Sequence, residues 1–481
     1  MKNNLVKLLG VLIAVSMLLV ACTPAATPAP TQAATTAPTQ PEAVATTQAV
    51  TEAPAGSGQS LVYDPAIPVN DGQPLTITYW CWHDLCGLVQ SQIDDYMNVH
   101  PNITIEMTDV PTMDYFTKMP LAMQAGVGPD ILSINTANIT MQLTQGLMEP
   151  WPQDMANEYK NAGWYGIDSF AIDGKVYYVP IGLMTGMIFY NKTLWESVGL
   201  TEADIPTTWD QFTTIAEQLT ITDSDGKITQ SGFDLKGMEQ YFYPALMYQK
   251  GEFLFSEDGT TANISTPKSK AVIQMIVDWY LKDKVVAYEF TDWYTSFHNE
   301  SAAMVYAWGW FGGDLRANAP EVDWGVFPLP SFGANDPARE RYDADLTPAC
   351  SPKSTVETKS ACFDFLRFMT TNNDALATFT VGLGDMPASE IVQQDPRVLA
   401  DPVIQTTIAY GDKLVFPGEG PEAAWAMLIS SDIFDPILSG AVPVDQAINA
   451  AQTKINTALA ATGPYSNTAE RLYKYADQFG K

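Results

Sequence analysis

After residue 74, apolar and polar positions follow either the two-residue alternation of a strand or the spacing of a helix. Segments of the two kinds alternate along the chain. Leu75 to Tyr79 alternates as a half-buried strand does. Gly87 to His100 then places apolar residues at helical spacing, and Ile103 to Met107 alternates again. A strand, a helix and a second strand in this order predict parallel strands joined by a right-handed crossover.

The same order continues along the chain. A third strand is predicted after the turn at Gly128-Pro129, and Met187 to Tyr190 is predicted as another strand. Thr208 and Gln211 have capping-box spacing ahead of a helix with one apolar face, where we expect Trp209 to serve packing. These elements predict an α/β fold class with open sheets.

The first 22 residues have the pattern of a bacterial export signal. Lys2 and Lys7 precede an apolar run from Leu8 to Val20 that is too short to span a bilayer. The run ends in a Leu-Val-Ala-Cys tetrad that resembles a lipobox, in which small residues precede a cysteine that carries lipid. An ordinary signal peptide with a chance cysteine is the alternative. We predict an exported protein, lipid-anchored through Cys22 to the outer face of the bacterial cell membrane.

Residues 23–73 are predicted to form a disordered tether. Residues 23–60 contain almost only Thr, Ala, Pro, Gln, Gly and Ser, and such a composition cannot bury a core. At about 3 Å per residue in polyproline geometry, this segment would hold a folded body tens of ångströms from the membrane.

Composition and charge limit the functional classes to which the folded part can belong. The chain has 481 residues, of which 46% are hydrophobic, so wholesale disorder is excluded. It carries 25 Lys plus Arg against 55 Asp plus Glu, a net charge of −30. A protein that binds nucleic acid through its phosphates would need the opposite sign.

Four cysteines remain in the exported body, and they allow three pairings between which the sequence does not choose firmly. We favour the two local pairs, Cys81–Cys86 and Cys350–Cys362, because the chain already brings each pair close, and export permits disulfides. A metal site is disfavoured because no CxxC pair with an accompanying His occurs.

Catalytic motifs are absent from the sequence. It has 3 His and contains no HExxH, no GxSxG and no phosphate-binding loop, and nothing in it calls for a cofactor. The acidic stretches at 223–226 and 257–259 lack calcium-loop spacing, which favours turns. A glycosidase needs only two carboxylates, which sequence cannot screen for geometry. An extracellular carbohydrate-active enzyme is therefore the alternative to a binding protein.

Several short motifs occur in a fixed order over roughly residues 75–460. They are Gly128-Pro129-Asp130, Asp173-Gly174-Lys175-Val176-Tyr177-Tyr178-Val179-Pro180, Phe189-Tyr190-Asn191-Lys192, Pro206-Thr207-Thr208-Trp209-Asp210-Gln211-Phe212, Ala303-Met304 with Trp310, Trp324-Gly325-Val326-Phe327-Pro328-Leu329-Pro330, and a helix from Ala361 to Met369. The ordered series resembles the extracellular solute-binding proteins of ABC importers, in the family that includes the maltose-binding and other sugar-binding proteins.

This resemblance implies two α/β lobes joined by a hinge, with a ligand cleft between them. We place lobe one at 74–182 plus 331–380 and lobe two at 183–330 plus 381–481. The implied function is that a monomer captures a carbohydrate, a neutral sugar or oligosaccharide, and delivers it to the permease subunits of an ABC transporter. A non-sugar ligand such as a polyamine is the alternative within the binding class.

Aromatic residues are the first candidates for sugar recognition, because sugar rings stack on flat aromatic faces. Trp310 matches the position at which the family stacks sugar, and Trp308 lies two residues before it. We expect the stretch 308–313, with its glycines, to be too broken for a helix interior, so that backbone approaches a ligand closely. Trp82 and Asp84 lie just beyond the first strand, where the alternative role is loop packing.

Further candidates follow from their positions along the chain. Asn135 lies after the third strand, at the expected cleft edge, where helix capping is the alternative. Met184 falls where sugar-binding relatives often carry a carboxylate, which argues against a maltose-like ligand. Asp385, beside Gly384, and Trp425, before the C-terminal helices, complete the predicted ligand-binding set.

Overall fold

The computed structural model describes residues 61–82, 86–135, 142–143, 145–167, 171–172, 174–256, 260–344, 347–415 and 429–462. The strands are β1 Leu75–Trp82, β2 Ile103–Val110, β3 Ile131–Ile134, β4 Ala171–Ile172, β5 Lys175–Val176, β6 Gly182–Asn191, β7 Ile221–Thr222, β8 Ile228–Gln230, β9 Met304–Trp308, β10 Trp324–Phe327, β11 Glu340–Asp343, β12 Thr347–Cys350, β13 Met386–Pro387 and β14 Leu414–Val415.

Helices connect most of these strands. The α-helices are α1 Cys86–Val99, α2 Thr112–Ala125, α3 Gln153–Asn161, α4 Lys192–Ser197, α5 Trp209–Leu219, α6 Glu239–Gln249, α7 Pro267–Leu281, α8 Trp293–His298, α9 Trp310–Asn318, α10 Val356–Thr371, α11 Asn373–Leu383, α12 Pro396–Ala400, α13 Pro402–Tyr410, α14 Asp435–Leu438 and α15 Val444–Thr462. Short helical turns cover Val69–Gly72, Glu202–Asp204, Val392–Gln394 and Gly411–Lys413, and a π-turn covers Ser430–Phe434.

The first sheet has the order β12-β3-β1-β2. Strand β1 runs parallel to β2 and β3, and β12 is antiparallel to β3. Helix α1 connects β1 to β2, so the predicted β-α-β unit is confirmed. Alternate side chains of β1, including Ile77 and Tyr79, are buried beneath the helices.

The second sheet is organised around β6, which is buried along its whole length. β6 pairs in turn with β13, β11, β9 and β10, all antiparallel. Nearby, α5 begins with the predicted capping box, in which Thr208 and Gln211 each accept a backbone N–H of the other. Trp209 is 3% exposed within the core, as its predicted packing role requires.

Two separate hydrophobic cores give the protein two lobes. The first lobe is built on the first sheet, with buried residues that include Ile77, Tyr79, Ile93, Tyr96, Leu132, Phe365 and Leu366. The second lobe is built on β6, β9 and β10, with buried residues that include Ile188, Phe189, Trp209, Phe212, Phe242, Trp279 and Phe311. The architecture is therefore α/β with two lobes.

The extent of the first lobe differs from the boundary placed at residue 380. Apolar side chains from Leu383 to Leu414 pack mostly into the first core, and Val403 alone among the buried ones of that stretch packs into the second. Helices α12 and α13 therefore lie with the first lobe, although we assigned 381–481 to the second. Local sequence cannot reveal this, because these helices are amphipathic and suit either core.

The tether also ends earlier than predicted. Leu61, Tyr63 and Val69 pack against the first core, and Val69 is 5% exposed. The ring centroid of Tyr63 lies 5.3 Å from that of Phe368, and its hydroxyl donates to Asp364 at 2.7 Å. The prediction of disorder up to residue 73 is therefore wrong for these last residues, because Leu61, Tyr63 and Val69 find partners in the first core.

Two disulfides are present in the first lobe, and they are the two local pairs favoured from the sequence. Cys81 on β1 bonds to Cys86, the first residue of α1, with Cα atoms 5.8 Å apart. Cys350 on β12 bonds to Cys362 on α10, with Cα atoms 6.0 Å apart. Each bond joins a strand of the first sheet to a helix that covers it.

No helix in the described ranges is both long enough and apolar enough to cross a membrane. Among the same residues, no group of three or more His, Cys, Asp or Glu side chains is placed to hold a metal ion. The acidic stretch at 223–226 forms a turn, in which Oδ1 of Asp223 accepts the backbone N–H of Asp225 and of Lys227. Residues 257–259 lie outside the described ranges.

Candidate ligand-binding site

Three strands cross from one lobe to the other side by side. On β6, Leu183 packs in the first core and Met184 in the second. On β14, Leu414 packs in the first core, whereas Val415 packs with Tyr248 of α6. Strand β11 lies between them and pairs with both. Side chains at these crossing points therefore stand between the lobes, where ligands of open α/β sheets usually bind.

Strand β11 brings two charged side chains to the crossing. Asp343 lies opposite Met184 of β6, and Arg341 lies opposite Val415 of β14. Nη1 of Arg341 is 3.9 Å from Oδ2 of Asp343, and the two side chains are 23% and 11% exposed. They are thus partly accessible charges at the strand crossing.

An indole ring lies beneath the guanidinium of Arg341. Trp308 ends β9 and lies opposite Gly186 of β6, so it shares the sheet face of Met184 two residues away. Cζ of Arg341 lies 4.7 Å from the centroid of the Trp308 ring. Cation–π attraction holds a guanidinium over the face of an indole. The N–H groups of that guanidinium lie in its own plane, where they can donate to other groups.

A buried carboxyl lies beside the pair. Glu340 is fully buried, and its Oε2 accepts the hydroxyl of Tyr306 at 3.2 Å. This bond needs Gly186 on the intervening strand, because a Cβ there would overlap the Tyr306 hydroxyl. Burial raises the pKa of Glu340 to about 8 and, against the effect of Arg341, the pKa of Asp343 to about 6. Near pH 7 Glu340 is mainly neutral and Asp343 is mainly ionised.

Trp310 lies two residues beyond Trp308, at the start of α9. Its ring centroid is 6.1 Å from that of Trp293 in an edge-to-face arrangement. The indole is partly buried against the second core and partly accessible. A partly accessible indole that is held against neighbouring aromatic rings can serve as a stacking residue.

The glycines around Trp310 have a different role from the one predicted. The stretch is not broken, because Trp310–Asn318 is an α-helix. A Cβ on Gly309 would lie 2.6 Å from the carbonyl oxygen of Gly384, and a Cβ on Gly312 would lie 2.6 Å from Cγ2 of Val403. These glycines let α9 pack closely on the segment from α11 to α13, rather than admitting a ligand to the backbone.

The other described candidates differ in their burial and in their neighbours. Trp82 is 5% exposed, and its ring centroid is 5.0 Å from that of Tyr115, which is the geometry of the packing alternative. Asp385 is 1% exposed, with its Cβ against Gly182. Asn135 is partly buried directly after β3, and Met184 is 8% exposed at the crossing. The structure thus places Met184 and Trp308 on one face of β6 and β9, with Trp310 two residues further along at the start of α9, and packs Trp82 in the first core.

Three predicted residues, Asp84, Trp425 and the lipidation site Cys22, lie outside the described ranges. Conversely, Arg341 and Asp343 were not singled out from the sequence. The sequence does contain a pattern that indicates them, because a strand with charged residues at i and i+2 places both on one face. In an acidic chain, an arginine on a mostly buried strand of this kind is unusual.

A model of the bacterial extracellular solute-binding protein family matches residues 91–406, or 316 of the 481 residues. The chain belongs to this family. The multiple sugar-binding protein of Streptococcus mutans is 23% identical to this solute-binding protein over 356 residues, which cover 67% of this chain and 76% of the relative.

Solved structures share the two-lobed fold. A Listeria monocytogenes ABC substrate-binding protein in complex with cycloalternan matches with a TM-score of 0.68 and 20% identity, over 81% of this chain and 100% of that one. The maltose/maltodextrin-binding domain of Bdellovibrio bacteriovorus, bound to maltotriose, matches with a TM-score of 0.67 and 18% identity, over the same shares of the two chains. The predicted fold class and family are thereby confirmed.

Proposed function

We propose that this solute-binding protein captures a neutral sugar or oligosaccharide between its lobes and delivers it unchanged to the permease of an ABC importer. A lipid on Cys22 would keep the protein at the outer face of the membrane during this cycle. Relatives with sugar-binding names and structural neighbours bound to oligosaccharides support the carbohydrate class.

The observation that carries the proposal is the arrangement at the strand crossing. Trp310 is partly accessible, Trp308 two residues before it is 6% exposed beneath the Arg341 guanidinium, and Asp343 lies beside that guanidinium. A sugar ring offers apolar C–H groups on its faces and hydroxyls around its rim. Flat aromatic faces and planar polar groups are the matching chemistry.

Capture follows from the two-lobed geometry. A ligand that contacts both lobes makes its full set of interactions only when they are closed around it, so binding shifts the population toward the closed form. A micromolar dissociation constant, about −8 kcal/mol, is enough for uptake and still permits release. No step of this cycle changes a covalent bond of the ligand.

Calorimetry on the full-length chain in detergent tests this function. The neutral probes are maltotriose, mannobiose and cycloalternan; glucose 6-phosphate is the phosphorylated probe and spermidine the cationic one. We expect at least one neutral probe to bind with a micromolar dissociation constant and to be recovered intact by chromatography after long incubation. Exclusive binding of spermidine, or cleavage of a bound sugar that requires the protein, would reject the proposal.

A further inference from the structure

We infer that Arg341 and Asp343 form hydrogen bonds to the hydroxyls of the ligand as a charge-balanced pair, and that this balance restricts the site to uncharged sugars. The inference rests on the proposed function and specifies its ligand class. It concerns two residues of β11, a strand that joins the lobes. The sequence motifs did not single out either residue.

The first argument is the hydrogen-bonding capacity left at Arg341. Its guanidinium is fixed over Trp308, and Nε finds no hydrogen-bond partner among the described residues although it is buried. A buried N–H donor without a partner is costly, and a ligand oxygen that accepts from it recovers that cost. The planar fork also has the geometry to donate to two adjacent hydroxyl oxygens.

The second argument is the acceptor beside this donor. Oδ1 of Asp343 already accepts the backbone N–H of Ala344 at 3.1 Å, whereas Oδ2 faces Arg341 at 3.9 Å, beyond hydrogen-bond distance. A group that both accepts and donates can therefore bridge the two side chains. A sugar hydroxyl is such a group, because it accepts from the guanidinium and donates to the carboxylate.

The third argument is charge. An isolated arginine between the lobes would favour a uronate or a phosphorylated sugar, whose anion it would bind bidentately. Here the ionised Asp343 stands beside the guanidinium and would repel that anion. A polyamine would in turn be repelled by Arg341. With Glu340 mainly neutral near pH 7, the pair has no net charge and disfavours ligands of either sign.

Isosteric variants of the full-length chain in detergent test this selectivity, with the neutral probes above, digalacturonic acid as the anionic probe and spermidine as the cationic one. Asp343→Asn should weaken the bound neutral sugar about 10-fold or more and should introduce or strengthen binding of digalacturonic acid by a similar factor. Arg341→Gln should also weaken the neutral sugar but improve only spermidine. Asp395→Asn and Arg397→Gln alter an ion pair on the surface of the first lobe and should change neither preference.

The outcomes separate this inference from the proposed function. If a neutral sugar binds and both β11 variants keep its affinity and the preference over charged probes, the function stands and the inference is overturned. Tighter binding of digalacturonic acid than of every neutral probe by the unaltered protein also overturns it, while capture of a carbohydrate stands. If no carbohydrate binds at all, the proposed function fails and the inference fails with it.

Chemical modification of the unaltered protein covers the case in which the variants do not fold. Phenylglyoxal labels accessible guanidinium groups, and peptide mapping reports each arginine separately. A saturating neutral sugar should reduce labelling of Arg341 several-fold and leave Arg367 and Arg397 unchanged. Equal labelling of Arg341 with and without bound sugar would overturn the inference.

Discussion

Arg316 and Asp401 form an ion pair between helix α9 of the second lobe and the start of α13, with Nη1 of Arg316 3.0 Å from Oδ2 of Asp401. Oδ1 of Asp401 accepts the backbone N–H groups of Val403 and Ile404 and so caps α13. Val403 packs in the second core and Ile404 in the first. The pair therefore fixes α9 to a helix that contacts both lobes.

Arg316→Gln should destabilise the protein because it leaves the Asp401 carboxylate, 4% exposed, without its cation. Arg316 is 40% exposed, so we expect a loss of about 1–2 kcal/mol, below the 3–5 kcal/mol typical of a fully buried pair. Urea unfolding measures this change. Arg397→Gln, which breaks a surface pair, is the matched control and should cost clearly less. Equal losses in the two variants would show that the ion pair between α9 and α13 stabilises the protein no more than a surface pair does.

Stability should fall as the pH rises, because of buried carboxyls, two of which, Glu340 and Asp343, lie at the strand crossing. Burial raises the pKa of Glu340 to about 8, whereas the unfolded chain should have a value near 4.3. The folded state then holds a proton that the unfolded state has lost, so the contribution of Glu340 is complete below about pH 4 and disappears as pH rises through about 8. Asp343, with a pKa raised to about 6, and Asp234, raised to about 7, act in the same direction.

Glu340→Gln isolates the contribution of one group. The amide stays neutral at every pH, so the melting temperature of the variant should decline less between pH 5 and pH 8.5 than that of the parent. Differential scanning fluorimetry across this range is the measurement. The remaining slope belongs to Asp234, Asp343 and Glu239, whose pKa values burial also raises and which the variant retains. Parallel pH profiles for variant and parent would mean that Glu340 is not the group that titrates.

Elements with local signals could be predicted from the sequence, whereas the polar pair at the crossing could not. The β-α-β unit and the capping box of α5 depend on residues within a few positions of one another. The Arg341–Asp343 pair acquires its surroundings only when β11 pairs with β6, more than 150 positions earlier, and with β14. Such register is set by long-range packing, which one sequence does not reveal.

Two further differences between the predicted and the observed structure also arise from contacts between distant parts of the chain. Glycines in the stretch 308–313 predict a broken segment, but glycine is needed there because Gly382 and Gly384, about 70 positions later, approach closely. Tyr63 looked like part of the tether, but it bonds to Asp364 some 300 positions away. In each case local composition indicated irregular structure, and a distant partner determined the outcome.

Trp310→Ala should weaken a bound neutral sugar strongly. Truncating a central aromatic contact typically costs 2 kcal/mol or more, which is about 30-fold or greater in the dissociation constant. Because Trp310 is only partly buried, the ligand-free melting temperature should fall little. Trp310→Phe, which keeps a flat ring, should retain part of the affinity, and Trp279→Ala, in the second core, should instead reduce the melting temperature sharply. Unchanged affinity in Trp310→Ala, or a thermal loss like that of Trp279→Ala, would identify Trp310 as a packing residue.

Replacing the Cys350–Cys362 disulfide with two serines should lower the free energy of unfolding by about 3 kcal/mol. The bond closes a loop with a sequence separation of 12, and cross-links of this length constrain the unfolded chain by roughly that amount. Cys81 and Cys86 are separated by 5 positions, so the same double substitution there should cost less. Urea unfolding compares the variants, and peptide mapping without reductant checks both pairs in exported protein. Four free thiols or crossed pairs would contradict the assignment.

Cys22→Ser should release the protein from the membrane. The tetrad Leu19 to Cys22 closes an apolar run that is too short to span a bilayer, so the lipid and not a spanning helix would be the anchor. We expect mass spectrometry of the membrane-extracted protein to find a mature chain that begins at a lipid-modified Cys22. Fractionation should then find the Ser variant outside the membrane fraction with its sugar affinity unchanged, because the cysteine is remote in sequence from the lobes. A Ser variant that stays in the membrane, or a mature chain that begins at another residue, would reject the anchor without affecting the proposed capture of sugar.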